Sequence, residues 1–500
     1  MSWRKLNSVK QAQRHHTLSA EQEVKKFYRD INENEKIFKA MFQDCSDIVF
    51  RELAINGQTK ILMIYVDGMI DTESFESNVL RPLIYEGVPQ GLGTIDSIAY
   101  MCEQKLFSIM QISRLFDFDA TVESILKGSV AILADGDATA CLANIKQIET
   151  RSIEESSSEP TLRGPKESFT ENLRTNTTMI RRIITSPKLK MKSVTIGTLT
   201  KTDVVISYIE DVVEPKLLEE VCFRVSQIDT NGILESGYIE EAIEDTHLTP
   251  FPQMLNSERP DVIASGLLEG KVAILTDGTP FALSVPMTFW TGLQAPDDYY
   301  ERSMYVFMTR ILRFIFIVFG VTTSALYIAL TNYHQEMVPT KLMISIASLR
   351  EHAPFPTIIE VFMMEVVFEG LREAGIRLPK TIGPLISIVG ALVIGEAAVR
   401  AGIISAPIVI VVSFAGIASF IVPRYRFGFP LRILRFPLII LSGMFGLFGL
   451  AAGMIAILSH LTRLSPFGIP YLTPVAPLVN GWLKDWVARY PRKLTKSKSE

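Results

Sequence analysis

The residues with the clearest chemical potential are three glutamates spaced four apart in an otherwise apolar stretch: Glu365, Glu369 and Glu373. At 100° per residue they fall within about 80° on one side of a helix. An acidic side chain facing lipid at bilayer depth would cost about 2.5–3.5 kcal/mol. The stripe must therefore face water or partner charges, and carboxylates beside an aqueous passage lower the barrier for cations. These three residues are our candidate ion pathway.

The helix that carries the stripe has two possible placements. It lies flat at the membrane interface, or it crosses with its acidic side on an aqueous passage. Basic clusters mark loops that the positive-inside rule places in the cytoplasm. They are Arg302, Arg310 and Arg313; Arg424, Arg426, Arg432 and Arg435; and the tail from Lys484 to Lys498. An even number of crossings must separate the first two clusters, which favours a crossing helix.

The stretch PFPTIIEVFMMEVVFEGLREAGIRLP (354–379) carries its own start and stop signals. Thr357 followed by Glu360 predicts a capping box, in which the two side chains satisfy backbone N–H groups at the start of the helix. Gly375 and Pro379 predict the end of the helix. We therefore expect a helix over residues 358–374, about 25 Å long at 1.5 Å per residue.

Four further apolar runs each approach the roughly 20 residues that a membrane-spanning helix needs. They are Ile311–Leu330, Ile382–Val399, Ile403–Val422 and Phe436–Leu458. Small residues at four-residue spacing predict close helix packing, within one subunit or between subunits. They are Ser387, Ala391 and Gly395, and also Gly449 with Gly453. A single crossing by the last run would leave the basic tail outside, so a re-entrant return through residues 465–478 is needed.

The first 300 residues contain a duplication. LKGSVAILADGDATA (126–140) and LEGKVAILTDGTPFA (268–282) share nine of fifteen positions at an offset of 142, and ILMIYVDGMI (61–70) aligns with VVISYIEDVV (204–213). Each copy shows an apolar β-branched run, a helical region, and an Asp-Gly pair between apolar runs, which is typical of a hairpin with a tight primed turn. We predict a duplicated α/β soluble N-terminal domain followed by an all-α polytopic membrane domain.

The predicted domain boundaries follow from composition. They are a polar tail (1–45), a first repeat (46–150), a linker (151–165), a second repeat (166–300), a membrane domain of four to six segments (301–480) and a basic tail (481–500). The polar tail lacks the apolar core of a secretory signal, so we expect the soluble part to stay in the cytoplasm.

No catalytic constellation is visible, and we predict that the chain is not an enzyme. P-loop, GxSxG, HExxH and dinucleotide-binding patterns are missing, and four scattered cysteines offer neither a zinc site nor a disulfide framework. We expect no metal and no cofactor, and the net charge of -4 gives no reason to expect nucleic acid. Arg174, Arg181 and Arg182 could bind phosphate or lipid, but a helix face packed on the neighbouring repeat explains them better. Turn chemistry explains Asp135 and Asp277.

Several long motifs in one order resemble a known family, the A subunits of GerA-type spore germinant receptors of endospore-forming bacteria. The resemblance covers nearly the whole chain except the first forty residues. The motifs include SDIVFREL (46–53), YVDGMID (65–71), RGPKESFTENLRTN (163–176), NGILESGYIEE (231–241), ERPDVIASGLLEGKVAILTDGTPFAL (258–283), DDYYERS (297–303), HQEMVPTKL (334–342), SIVGALVIGEAAV (387–399) and FGIPYLTPVAP (467–477). The stretch at 354–379 also belongs to them.

The resemblance implies one subunit of a nutrient sensor in the spore inner membrane. Its partners would be a transporter-like B subunit, a lipoprotein C subunit, membrane lipid and further copies of the chain, which would assemble into a nutrient-gated cation channel. The N-terminal domain would face the spore core. The assignment of Glu365 and Glu369 to the ion path comes from the residues and is not implied by the resemblance. The alternatives are a non-conducting signalling scaffold, with a stage V sporulation paralogue as its close relative, and a small-molecule transporter.

Overall fold

The computed structural model describes residues 26–55, 59–77, 112–145, 159–161, 163–351, 353–377 and 395–478. Its chain divides into two compact units, which we call the α/β unit and the helical unit. The α/β unit comprises Met1–Glu154, Glu167–Ile239 and Ser257–Leu283, and the helical unit comprises Glu155–Lys166, Glu240–Asn256 and Ser284–Glu500. Residues 240–256 and 284–300, which the sequence assigned to the second repeat, thus cluster with the helical unit.

The first repeat is a five-stranded antiparallel sheet with helices. In chain order its elements are α1 (Ile31–Met41), β1 (Ile48–Ile55), β2 (Thr59–Val66), α2 (Thr72–Phe75), β3 (Ile112–Leu115), α3 (Phe118–Leu126), β4 (Val130–Ala134) and β5 (Ala140–Ala143). The strand order is β1-β2-β4-β5-β3. Buried side chains from α1, α3 and the inner face of the sheet form one core cluster, with Phe38 and Phe118 fully buried.

The second repeat uses the same plan. Its elements are α4 (Leu173–Ile183), β6 (Leu189–Ile196), β7 (Thr202–Ile209), α5 (Pro215–Ser226), α6 (Ser236–Ile243), β8 (Leu255–Ser257), α7 (Pro260–Leu268), β9 (Val272–Thr276) and β10 (Ala282–Val285). The strand order, β6-β7-β9-β10-β8, is that of the first sheet with every strand replaced by its equivalent. The predicted duplication and the α/β class of the N-terminal part are confirmed.

The first repeat begins earlier than the sequence predicted. Residues 31–41, assigned to a polar tail, form α1, which is the counterpart of α4. In both copies an asparagine side chain accepts from a backbone N–H six residues upstream: Asn34 from Tyr28 at 2.9 Å and Asn176 from Thr170 at 2.8 Å. The tail assignment failed because α1 is polar except for the few side chains that enter the core, such as Phe38.

The Asp-Gly pairs do close hairpins, but through a longer loop than the tight primed turn we expected. In the first copy Leu133 pairs with Ala140, and Gly136 has a positive φ of 89° while Asp135 does not. The aspartates also accept a hydrogen bond from the start of the first helix of their own repeat, which is α1 for Asp135 and α4 for Asp277. Asp135 accepts from Ile31 N at 3.3 Å, and Asp277 accepts from Leu173 N at 3.1 Å.

The helical unit contains the C-terminal helices. They are α8 (Ser303–Asn332), α9 (Thr340–Arg350), α10 (Thr357–Arg377), α11 (Ala406–Phe420), α12 (Tyr425–Ile433) and α13 (Arg435–Arg463). By length and composition two stretches of the described chain could cross a membrane, Ser303–Asn332 and Tyr425–Arg463. The predicted run at 311–330 lies inside α8. Most of the run at 382–399, and the C-terminal tail, lie outside the described residues.

The second of these stretches is interrupted. Gly446 has φ 62° and ψ -141°, a backbone conformation that suits glycine. A Cβ built on Gly453 would lie 2.4 Å from Leu438 Cδ2, whereas an unbroken helix would separate two such residues by about 22 Å. Residues 447–463 therefore pack back against 435–445. The predicted run at 436–458 is therefore not one straight helix, because Gly446 reverses the chain. The re-entrant return through residues 465–478 stays a prediction.

Candidate functional site

The acidic stripe lies on α10, which is longer than the sequence predicted. The helix covers 21 residues from Thr357 to Arg377, about 32 Å at 1.5 Å per residue. Gly375 does not end it, since the helix continues for two more residues. Glu365, Glu369 and Glu373 therefore sit on one continuous helix, as predicted.

The first turn of α10 is held differently from the predicted capping box. The Thr357 hydroxyl donates to Asn332 Oδ1 at 2.8 Å. The Glu360 carboxylate is fully buried and accepts from the backbone N–H of Ser405 at 2.8 Å. Ser405 is the residue before α11, so Glu360 caps α11 and places a negative charge near its N-terminus. Both residues are thus structural, but they join helices that are far apart in sequence.

Glu365 is the buried member of the stripe. Its side chain is 3% exposed and one carboxylate oxygen lies 2.7 Å from Arg435 NH1, whose own side chain is 4% exposed. The other oxygen accepts from the Ser324 hydroxyl at 2.6 Å. Arg435 also donates to the Ala415 carbonyl at 3.2 Å. Four helices, α8, α10, α11 and α13, therefore meet at this one ion pair.

The other two glutamates are progressively closer to solvent. Glu369 is 36% exposed and lies between Arg432 Nε at 3.5 Å and Arg372 NH1 at 3.7 Å. Glu373 is 59% exposed and pairs with Arg377 at 2.6 Å. The stripe thus runs from a buried end to an exposed end, and each carboxylate has an arginine partner.

The arginines of this cluster are only partly satisfied. Arg372 donates to the Ser419 hydroxyl at 2.6 Å and lies 4.4 Å from the centre of the Phe420 ring. Arg432 lies over two aromatic rings, Tyr425 at 5.4 Å and Phe429 at 5.6 Å. Among the described residues, the buried Nε atoms of Arg372 and Arg435 have no hydrogen-bond partner.

The sequence had placed Arg432 and Arg435 in a basic cytoplasmic loop. The structure corrects this, because both are buried and face the acids of α10. Their partners could not be identified from sequence, since about 60 residues separate Arg435 from the stripe. One signal in the sequence was the presence of four arginines directly beside an apolar run. Burying arginines there costs free energy unless acidic residues elsewhere in the chain pair with them.

The small residues that predict close packing have mixed outcomes. Ser387 and Ala391 lie outside the described residues. A Cβ on Gly395 would meet Val409 Cγ1 at 3.6 Å, an ordinary contact. A Cβ on Gly449 would approach the Leu441 carbonyl oxygen to 2.0 Å, so Gly449 and Gly453 serve the fold-back within one chain.

The arginines of α4 have structural partners in the α/β unit. Arg181 is fully buried and binds Asp47 of the first repeat through two hydrogen bonds, at 2.8 and 2.9 Å. Arg174 pairs with Asp67 at 3.0 Å, also across the repeats, and Arg182 pairs with Glu167 at 3.4 Å. These pairs support helix packing on the neighbouring repeat. No group of three or more His, Cys, Asp or Glu suited to a metal occurs among the residues described.

Comparison with known proteins identifies the family. The family described as Bacillus/Clostridium GerA spore germination protein matches residues 36–500. The chain belongs to this GerA family. The resemblance inferred from the sequence motifs is therefore confirmed.

Relatives within the GerA family extend over most of the chain. Uncharacterized membrane protein YfkQ of Bacillus subtilis (strain 168) is 45% identical over 92% of this chain and 89% of its own. Spore germination protein KA of the same organism is 41% identical over 89% of this chain and 82% of its own. Spore germination protein GerLA of Bacillus cereus is 39% identical over 91% of this chain and 92% of its own.

A solved structure is also similar. It is the crystal structure of the N-terminal domain of the A subunit of the Bacillus megaterium spore germinant receptor GerK3, 32% identical with a TM-score of 0.44. The match covers 54% of this chain and 99% of that one.

Proposed function

We propose that the chain is the A subunit of a nutrient germinant receptor of bacterial spores, and that it oligomerises into a nutrient-gated cation channel whose opening triggers germination. Membership of the GerA family and relatives named spore germination proteins support the biological setting. The apolar helices of the helical unit support a membrane location, which we take to be the spore inner membrane with several crossings.

The proposed assembly contains more than this chain. A transporter-like B subunit and a lipoprotein C subunit complete the receptor, and the nutrient binds outside the present chain. The duplicated α/β unit lies on the cytoplasmic, core-facing side, and the helical unit contacts lipid and other copies. Protease treatment of sealed membrane vesicles tests this orientation, because the α/β unit should be cut only in inside-out vesicles.

One observation carries the channel proposal, which is the gradient along the acidic stripe. Exposure of the side chain rises from 3% at Glu365 through 36% at Glu369 to 59% at Glu373. Carboxylates attract cations and repel anions, so a stripe that opens toward water suits the mouth of a cation passage. Glu365, at the inner end, would be the deepest of these sites.

Ion flux from liposomes that contain this chain purified together with its B and C subunits, measured after nutrient broth is added, tests this proposal. We expect potassium efflux that exceeds chloride efflux, and we expect the double variant Glu369→Gln, Glu373→Gln to reduce the potassium-to-chloride ratio at least threefold. Glu396→Gln is the matched control, because Glu396 is also an exposed acid paired four residues along with an arginine, Arg400, at 2.6 Å. Efflux no faster than from empty liposomes would contradict the channel.

A second candidate function is a non-conducting signalling scaffold, or a stage V sporulation paralogue. The observation that favours it is that each acid of the stripe already has an arginine partner within the chain. Spores in which the chain is required for germination, although it conducts nothing in liposomes, would support the scaffold.

A further inference from the structure

The inner half of the acidic stripe is outnumbered by arginines. Two acids, Glu365 and Glu369, lie among the three arginines that we call the arginine cluster: Arg372, Arg432 and Arg435. The side chains of Arg432 and Arg435 are 8% and 4% exposed. A cation approaching this part of the stripe would meet a net positive charge, so the described arrangement does not attract cations there.

We propose that the arginine cluster is a charge lock, which holds Glu365 and Glu369 away from the aqueous passage until Arg435 and Arg432 change partners. This inference rests on the proposed function for the existence of the passage. The lock itself is a conformational property of the helical unit, and it can be measured without any ion flux.

The geometry explains why the locked arrangement persists. Glu365 and Arg435 are both nine-tenths buried and 2.7 Å apart, and removing one partner of such a pair leaves an uncompensated buried charge. Arg435 simultaneously holds the Ala415 carbonyl of α11, and Glu365 holds the Ser324 hydroxyl of α8. Rotation of α10 would therefore break the contacts of Glu365 with α8 and α13 at once.

The same geometry explains how the lock could be released. The Nε atoms of Arg372 and Arg435 are buried without a hydrogen-bond partner among the described residues, so the cluster is not at its most favourable arrangement. Arg432 already lies over the faces of Tyr425 and Phe429, which are half-exposed. Aromatic faces stabilise a guanidinium, so Arg432 keeps a favourable contact when Glu369 leaves.

Thiol accessibility of the buried face of α10 tests the lock. Val361 lies one turn before Glu365 and is fully buried, so Val361→Cys should react slowly with a membrane-impermeant thiol reagent. Adding Arg435→Glu places two acids in contact and should raise the labelling rate at position 361 about tenfold. The charge swap Glu365→Arg, Arg435→Glu restores an ion pair, and we expect it to bring the rate to within threefold of the parent.

Two controls separate release of the lock from general loosening. Val306→Cys lies at a buried position near the start of α8, 18 residues before Ser324, and its labelling should not change with Arg435→Glu. Arg400→Glu disrupts the exposed pair with Glu396 and should leave position 361 slow. Mapping the labelled peptide allows the native cysteines to remain, and burial raises the pKa of the Cys45 and Cys222 thiols, which keeps them slow to react.

The outcomes also separate the lock from the channel. Faster labelling at 361 alone, reversed by the swap, supports the lock whether or not the same liposomes conduct potassium. Unchanged labelling at 361, an equal rise at 361 and 306, or a swap that fails to restore protection would overturn it. Potassium flux in the parent combined with any of those results would keep the channel and remove the lock.

Discussion

Both units bury an arginine against a carboxylate, but the two pairs differ in how fully the arginine is satisfied. In the α/β unit Arg181 makes two hydrogen bonds to Asp47 and two more to backbone carbonyls, each at 3.0 Å. In the helical unit Arg435 makes one bond to Glu365 and one to a carbonyl, and its Nε has no partner among the described residues. A saturated pair is a fixed joint between repeats, whereas an unsaturated pair can exchange partners.

The largest effect should come from breaking the saturated pair. Asp47→Ala leaves Arg181 charged and fully buried, which should cost about 3–5 kcal/mol of local stability. Hydrogen exchange on the full-length chain measures this as a lower free energy of opening for β1 and α4. The expected loss is large because the two bonds to backbone carbonyls keep the guanidinium of Arg181 buried after its carboxylate partner is removed.

Asp67→Ala is the control for that measurement. Asp67 pairs with Arg174, which lies on α4 as Arg181 does. The side chains of Asp67 and Arg174 are 46% and 40% exposed. Exposed pairs contribute about 0–1 kcal/mol, so exchange in α4 should hardly change. Equal losses in the two variants would show that burial does not distinguish these pairs, and the contrast with Arg435 would lose its basis.

A smaller effect should appear where Arg435 begins the fold-back of the helical unit. Gly449→Ala would place a Cβ 2.0 Å from the Leu441 carbonyl oxygen, so overpacking should destabilise the unit by about 1–3 kcal/mol. In an unbroken exposed helix the same substitution would stabilise by about 1 kcal/mol. We would measure the unfolding temperature of the detergent-solubilised chain. A decrease supports the fold-back at Gly446, and an increase supports an unbroken helix.

Gly370→Ala supplies the reference for a glycine in an open helical position. Nothing lies within 4 Å of a Cβ built on Gly370, so this variant should be neutral or more stable. If Gly449→Ala raises the unfolding temperature as Gly370→Ala does, residues 435–463 form one continuous helix. Arg435 would then lack the packing that we assign to it.

The contrast between the units also explains what sequence could predict. The duplicated sheet was predictable because its signals are local or repeated, such as β-branched runs and VAIL followed by Asp-Gly at an offset of 142. The acidic stripe was predictable because i, i+4 spacing defines a helix face. Both inferences use periodicity, which a single sequence displays directly.

Long-range pairing was not predictable by the same means. Nothing in the spacing connects Glu365 with Arg435, or Glu360 with the backbone of Ser405, because tertiary packing selects these partners. The reversal at Gly446 was hidden for a different reason, since an apolar run of suitable length gives the same hydropathy whether it crosses or turns back. A single glycine such as Gly446 does not predict a reversal by itself. The reversal is evident only from the close contacts at Gly449 and Gly453, which the structure shows.

The smallest expected effect compares the two repeats at one equivalent position. Asp135 and Asp277 accept a hydrogen bond from the first residues of α1 and α4, at 3.3 and 3.1 Å. Substituting alanine for either should cost about 1 kcal/mol, because a backbone N–H at the helix start loses its acceptor and a favourable charge. Hydrogen exchange in α1 and α4 of the full-length chain measures both losses.

Asparagine variants at the same positions isolate the hydrogen bond from the charge, since the amide oxygen can still accept. Because the geometry repeats at one offset, Asp135→Asn and Asp277→Asn should recover similar fractions of the loss. One result would contradict the equivalence: Asp277→Ala lowers the free energy of opening of α4, but Asp135→Ala leaves that of α1 unchanged. The hydrogen bond from Ile31 N to Asp135 would then not stabilise the first repeat. The two repeats would then differ in how the start of their first helix is stabilised.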